Sequence, residues 1–376
     1  MATRFSTQAA HIAARAEREL EALVAVSSPS GDRGGAEEAI AISAALLPTE
    51  AVLQRVRCST AANAPDLIAT IPGRGRARLL LLGHLDTVVG HHSHGPLRGE
   101  GERLYGPGAV DMKGGVVLAL ALARALVGEP ERFAELGVLL VTDEEWRTAD
   151  FAHVHRFAGY DACLCFEAGE LAAGGAEGVV VRRKAAGTMR IDATGRAAHS
   201  GSAPDQGRNA LLALARAAGI LAACHDPGGA QRLSAVPTVM RCGEALNVVP
   251  PAGELLCDLR ADGLGAFEDV LEAIPSELDG VRLETSMERR WPGMDSRRAT
   301  AALLERAVAR LGRPIVGVGR GGASDASHFA AAIPLTVDGL GPRGGGAHTP
   351  EEFVLRRSLR QRAEVALAVA QAVLEG

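Results

Sequence analysis

Residues 79–82 are four leucines in a row, set between an arginine- and glycine-punctuated stretch and Gly83. A short, uninterrupted apolar run with such borders predicts a strand buried on both faces of a parallel sheet. Similar runs occur at 67–71, 137–142 and 161–166, and 114–127 is apolar almost all round, which predicts a buried helix. Upstream, 7–26 predicts a helix closed by the turn cluster Ser27-Ser28-Pro29-Ser30-Gly31, and 36–47 a second one stopped by Pro48. Strands alternating with helices predict a doubly wound α/β sheet.

The pattern changes after Gly174-Gly175. At 189–194 and within 255–260 apolar and polar residues alternate, as in half-exposed strands of an antiparallel sheet. Helices fit 207–223 and 264–274, so 179–288 predicts strand–helix–strand–strand–helix–strand, a ferredoxin-like α+β insertion. The earlier alternation resumes with 298–311, 333–337 and a last helix from Glu351. The expected organisation is a mixed-sheet α/β domain, 1–178 and 289–376, interrupted by a second domain at 179–288.

Length and composition add bounds. A chain of 376 residues exceeds the usual size of one core, in keeping with two domains. A net charge of −5 and the lack of a basic stripe with interleaved aromatics argue against nucleic acid as a partner. Residues 1–20 are polar and Ala-rich without an apolar signal core, and no segment has the length and apolarity to span a bilayer. A cytoplasmic protein without a membrane partner is expected. Cys58, Cys163, Cys165, Cys224, Cys242 and Cys257 show no C-x-x-C spacing, so they read as free thiols rather than a zinc ribbon or disulfide framework.

The predicted strands end in chemistry. His84 and Asp86 follow the leucine run, Glu144 and Glu145 follow 137–142, and Glu167 follows 161–166. Asp111 lies in a glycine-punctuated turn and His348 follows Gly344-Gly345-Gly346. The C-terminal edge of such a sheet is where ligands bind. Two imidazoles and three carboxylates suit a pair of zinc-like ions with one carboxylate bridging. A single strand-end carboxylate is ordinarily solvated or capping; several strand ends each bearing one are harder to read that way. Asp86 either holds His84 in its metal-binding tautomer or caps a helix. One of Glu144 and Glu145 is spare, suited to taking a proton from the attacking water and passing it on; the alternative is a solvated turn. His91, His92 and His94 lack the spacing of ligands one helical turn apart and read as a substrate-entry loop, and His328 reads as a packed histidine.

Gly83-His84-Leu85-Asp86-Thr87-Val88, Tyr105-Gly106-Pro107-Gly108 with Asp111-Met112-Lys113-Gly114-Gly115, and Thr142-Asp143-Glu144-Glu145 form three motifs. They resemble the family of co-catalytic zinc peptidases and deacylases that includes glutamate carboxypeptidase, aminoacylase, acetylornithine deacetylase and succinyl-diaminopimelate desuccinylase. Further matches are Gly195-Arg196-Ala197-Ala198-His199-Ser200-Gly201, Asn247-Val248-Val249-Pro250, Asp258-Leu259-Arg260, Gly321-Gly322-Ala323-Ser324-Asp325 and 341–349. They keep the family's order from Ser28 to about Phe353, and the tail Asp338-Gly339-Leu340-Gly341-Pro342 is most similar to the bacterial glutamate carboxypeptidase branch. The resemblance implies two Zn2+ ions, with Co2+ or Mn2+ as substitutes. Asp111 would bridge them, His84 and Glu167 would complete one site, and Glu145 and His348 the other. It further implies Glu144 as general base, Asp86 orienting His84, and a cis peptide from Asp111 to Met112. The insertion would be a lid that also forms a homodimer, with His199 reaching the partner's site to hold the oxyanion. Arg260 and Asn247 would bind a free carboxylate of the substrate; otherwise Arg260 is a surface-strand charge and Asn247 shapes a turn.

The sequence departs from the family twice. Trp146-Arg147-Thr148-Ala149 stands where a small Gly/Ser-rich turn is usual, so Trp146 would narrow the pocket or alter the rim. In Phe166-Glu167-Ala168-Gly169-Glu170, Glu170 is a fallback for Glu167. The leading expectation is a carboxypeptidase-like amidohydrolase acting on a small peptide or N-acyl amino acid next to a free carboxylate. An N-acyl-amino-acid deacylase is the alternative, and a non-catalytic binding protein on the same fold the rival from another class.

Overall fold

The computed structural model describes residues 2–375. The chain divides into two compact units, Met1–Arg182 with Asp295–Arg320 and Ser324–Gly376, and Arg183–Met294 with Gly321–Ala323. The second unit thus begins and ends a few residues later than the 179–288 that the sequence pattern predicts.

In the first unit six strands lie side by side in the order Val52–Val56, Asp66–Pro72, Phe133–Val141, Ala77–His84, Ala162–Cys165, Leu335–Val337. The last four are mutually parallel, and the first two run antiparallel to their neighbours, so the sheet is mixed. Leu79, Leu80, Leu81 and Leu82 are fully buried; Leu79 and Leu81 share a core with helices Gly114–Leu126 and Arg356–Leu374, which both pack against this strand. The first of these helices approaches so closely that a Cβ on Gly115 would lie 1.8 Å from the Phe166 carbonyl oxygen. Only glycine permits that approach, and it fixes the strand end that leads into Glu167. Helix Ala2–Val24 packs on both of these helices, joining the start of the unit to its end. Helix Arg33–Ala45 starts where Asp32 accepts a 2.7 Å bond from the Gly35 amide, an ordinary N-cap.

The last helix begins at Arg356 rather than Glu351, because Phe353–Leu355 is drawn into antiparallel pairing with Arg103–Tyr105. The sequence pattern also did not predict the edge strand Val52–Val56, whose first four residues are exposed and carry no buried face to alternate.

In the second unit the order is Ser234–Cys242, Ala252–Ala261, Ala185–Thr194, Val281–Trp291, Glu277–Leu278, all antiparallel. With helices Ala210–Ala223 and Gly265–Ala273 this is the ferredoxin-like arrangement. Met189, Ile191, Leu255, Cys257 and Leu259 face the helices and are buried, while the alternate positions Arg190, Asp192, Glu254, Asp258 and Arg260 remain partly exposed. Among the described residues no helix is long and apolar enough to cross a membrane. The six cysteines are free thiols.

Candidate active site

Three parallel strands deliver side chains to one edge of the first unit's sheet. Ala77–His84 ends on His84, Phe133–Val141 runs on to Glu144 and Glu145, and Ala162–Cys165 to Glu167. Asp111 arrives from the turn that opens helix Gly114–Leu126, across a cis peptide to Met112, and His348 from a loop residue with φ of 68°. The two oxygens of Asp111 face different imidazoles. Oδ1 lies 3.3 Å from His84 Nε2 and Oδ2 lies 3.2 Å from His348 Nε2. Glu167 Oε1 is 3.7 Å from His84 Nε2, and Glu145 Oε2 is 3.2 Å from His348 Nε2. Donor atoms of His84, Asp111 and Glu167 fall within 4.8 Å of one another, and so do those of Asp111, Glu145 and His348.

The buried partners of His84 decide its tautomer. Nδ1 lies 3.0 Å from the Asp86 carbonyl oxygen and 3.4 Å from Asp86 Oδ1. Both oxygens can only accept, so Nδ1 carries a proton, and Nε2, which faces Asp111 and Glu167, is the nitrogen that can bind either a second proton or a cation. The Asp86 carboxylate also accepts the amides of Glu144 and Glu145, each at 3.0 Å, and a hydroxyl bond from Ser30. One aspartate thus orients an imidazole and the two-glutamate turn together.

Charge is crowded here. Burial opposes a charged His84, but Asp111 and Asp86 outweigh it and hold its proton affinity well above the ordinary imidazole value. Hydrogen bonds to Asp111 and Glu145 push His348 up to about 10. Asp111 is partly buried, which opposes its charge, yet the two imidazoles hold it below the usual carboxylate range. Burial pushes Glu144 well up and raises Glu145. Glu145 Oε1 is buried without a hydrogen-bond partner among the described residues. A cluster that favours positive charge at two points, with an orphaned carboxylate oxygen and His84 oriented so that Nε2 faces the carboxylates, fits divalent cations held by nitrogen and oxygen donors.

The other predicted residues fall as follows. Glu170 pairs with Arg320 Nε at 3.2 Å and does not join the cluster. His91 Nδ1 sits 2.8 Å from Ser27 Oγ, and His94 Nε2 donates to the Val24 carbonyl at 2.8 Å. His328 stacks on Phe151 at 4.9 Å. Trp146 is 68% exposed, so its ring stands at the surface next to Glu145 rather than filling space beside Glu144.

Three residues that sequence reasoning missed support the site. Arg147 is fully buried, bonding Asp143 at 2.9 Å and Asp325 as well, with its guanidinium 4.6 Å from the Phe151 ring centre. Lys113 is buried, and its Nζ donates to the Val26 carbonyl at 2.6 Å. Glu352 is buried and accepts the amides of Gly108, Val110 and Asp111 at 2.9, 2.7 and 2.8 Å. A charge in a loop reads from sequence as solvated, and only its burial reveals otherwise.

His199, Asn247 and Arg260 belong to the second unit. His199 Nδ1 accepts the amides of Gly201 and Ser202 at 3.1 and 3.2 Å. Its proton therefore sits on Nε2, the exposed nitrogen available as a donor. Arg260 forms a two-point bond with Asp258, Nε and Nη2 each at 2.9 Å. Asn247 is exposed, and its carbonyl accepts the Ser200 amide at 3.0 Å.

Comparison with known proteins matches residues 80–372 to the model of peptidase family M20/M25/M40. Carboxypeptidase G2 of Pseudomonas sp. (strain RS-16) is 27% identical over 353 residues, covering 89% of this chain and 83% of that protein. Succinyl-diaminopimelate desuccinylase of Halorhodospira halophila is 30% identical over 303 residues, 75% of this chain and 79% of that one. Among solved structures, a tripeptidase from Staphylococcus aureus superposes with a TM-score of 0.79 at 19% identity, covering 97% of this chain and 99% of that one. An M20 family metallo-carboxypeptidase from Sulfolobus solfataricus does so with 0.73 at 16%, covering 96% and 99%. The chain belongs to peptidase family M20/M25/M40 and is a metal-dependent hydrolase.

Proposed function

We propose that this protein is a di-zinc hydrolase that cleaves an amide next to a free carboxylate, releasing a C-terminal amino acid from a small peptide or N-acyl amino acid. The observation that carries the reading is the placement of Asp111, whose two oxygens each face one imidazole at 3.3 and 3.2 Å. His84, Glu167 and Asp111 would hold one ion; Asp111, Glu145 and His348 the other. The ions would supply Lewis acidity, acidifying a water and polarising the scissile carbonyl.

Glu144 is the proton carrier. It is nearly buried, adjacent to Glu145, and held by its amide to Asp86. It takes a proton from the attacking water as the new C–O bond forms, then delivers that proton to the leaving nitrogen as the C–N bond breaks. Its raised proton affinity suits both halves of the task. Asp86 keeps the turn and His84 in register. His199 donates from Nε2 to the developing oxyanion. Arg260, with Asn247, binds the free carboxylate, the guanidinium exchanging Asp258 for substrate.

A homodimer through the second unit is part of the proposal. The edge strand Ser234–Cys242 leaves Val236 and Met240 exposed, and Leu246 is fully exposed in the loop that follows. An apolar strand edge of this kind invites a second chain. Met240→Arg should convert a dimer to a monomer in light scattering. The six free thiols agree with a cytoplasmic location.

A deacylase specific for its acyl group is the second reading, favoured by the likeness to succinyl-diaminopimelate desuccinylase. The test is hydrolysis of a panel of N-acyl amino acids and dipeptides by the zinc- or cobalt-loaded protein. Release of one C-terminal residue across several acyl groups supports the carboxypeptidase. Turnover governed by the acyl group supports the deacylase, and no turnover with two ions bound overturns both.

A further inference from the structure

The turn from Gly106 to Asp111 points three backbone amides inward, and one side chain receives all of them. Gly108 has φ of 76°, a left-handed conformation that turns its amide into the same hollow as those of Val110 and Asp111. Successive N–H groups converging like this form an anion-binding nest. The anion is Glu352, with Oε2 on the Gly108 amide and Oε1 shared by Val110 and Asp111.

Glu352 also ends the loop that carries His348. The Thr349 amide donates to Gly346 and the Glu352 amide to Thr349, at 3.1 and 3.2 Å, folding 346–352 into a tight segment. The backbones are joined at the same place. Phe353 pairs with Tyr105, and the Gly106 amide donates to the Glu352 carbonyl at 2.8 Å. The side chain continues that seam from Gly106 to Asp111. A single carboxylate thus ties the segment bearing His348 to the one bearing Asp111.

We propose that Glu352 is a positioning residue that sets the bridging geometry of Asp111, so that two metal ions share this carboxylate at one fixed separation. The inference rests on the two-ion reading above. Glu352 touches neither reacting atoms nor ions; it acts through the backbone on either side of Asp111. Glutamine at 352 keeps the size but replaces one accepting oxygen with a donating NH2, so at least one of the three amides loses its partner.

The test uses the full-length protein stripped of metal and reloaded with Mn2+, comparing wild type with Glu352→Gln and Glu352→Ala. Metal content, Mn2+ titration, electron paramagnetic resonance and steady-state kinetics are read on each, with circular dichroism confirming the fold. Wild type is expected to hold two Mn2+ per chain with an exchange-coupled spectrum. In Glu352→Gln the weaker-binding ion should lose about 10- to 100-fold in affinity, and the coupled spectrum should give way to that of isolated ions. kcat should fall with KM nearly unchanged, because the substrate contacts are elsewhere. Glu352→Ala should lose more; if it fails to fold, the Gln variant decides. A folded Glu352→Gln with wild-type coupling, metal affinity and kcat overturns the role of Glu352 and leaves the two-ion reading intact. Isolated-ion spectra in the wild type itself overturn the two-ion reading, and this inference with it.

Discussion

Replacing Arg147 with methionine tests whether a buried cation supports the Glu144–Glu145 turn. Methionine keeps most of the apolar stem and removes only the charged head. That head is fully buried between Asp143 and Asp325, which are themselves almost inaccessible. Losing one partner of a buried ion pair costs about 3–5 kcal/mol, because the remaining charge has no solvent. The two acids do not share this equally. Asp143 Oδ2 keeps the Thr60 amide at 2.8 Å, whereas Asp325 Oδ2 has no hydrogen-bond partner among the described residues. Most of the loss therefore falls on Asp325, and about 4 kcal/mol is expected at pH 8.

The pH dependence has a definite sign. Burial already pushes Asp325 up to about 6 with Arg147 in place, and removing the guanidinium moves it higher. An acid whose folded pKa exceeds its unfolded value binds more protons when folded, so stability falls as pH rises through that window. The destabilisation by Arg147→Met should thus be larger at pH 8 than at pH 5.5. Urea denaturation followed by tryptophan fluorescence measures both values from the midpoint at constant m. The double variant Arg147→Met/Asp325→Asn should regain about half the loss, since it removes the stranded charge. A loss below about 1 kcal/mol at pH 8, or one that does not shrink in acid, would refute the reasoning.

Glu144→Gln should lower kcat by about 10²- to 10⁴-fold while metal content stays at the wild-type level; unchanged hydrolysis with metal bound would remove Glu144 from the mechanism. His199→Ala should reduce kcat far more than it weakens binding of a carboxylate product, measured by calorimetry, and an equal effect on both would argue against an oxyanion donor. Burial pushes Lys113 down to about 7, so between that value and the unfolded one near 10.5 the unfolded chain binds more protons. The stability of the wild type relative to Lys113→Met should therefore rise with pH across this window, at up to about 1.4 kcal/mol per pH unit, and a flat difference in denaturation midpoints would contradict it.

What could be read from sequence follows physical legibility. The strand 79–82 was plain because a run buried on both faces has no polar phase, and all four leucines are indeed inaccessible. His84, Glu144, Glu145 and Glu167 could be proposed from sequence because each lies just beyond such a run, and the fold brings them to one sheet edge. The second unit was plain from alternation, which requires one wet and one dry face. Val52–Val56 was not, since an edge strand exposed on four of its five residues has no period to detect. Glu352 and Arg147 were invisible for a different reason. Each sits in a polar loop, and its partners lie far along the chain: the amides at 108–111 for Glu352 and Asp325 for Arg147. Only the folded chain brings them within reach. The start of the last helix shifted because strand pairing with Arg103–Tyr105 took three residues that helix propensity would have claimed.

The packing of helix Ala2–Val24 against helix Arg356–Leu374 bears on how the molecule comes to hold metal at all. His84 and Asp111 are made early, His348 near the end, and the whole second unit is synthesised in between. On the proposed assignment a growing chain carries His84, Asp111 and Glu167, one full set of donors, before the second unit is made, but lacks His348 of the other set until almost the end. That second set would be completed only when the final helix seats and brings the loop before it into place. Full metal occupancy would then mark a finished chain, and cations that bind the native state alone would hold it there by mass action. Metal withdrawal should accordingly make the first unit easier to unfold.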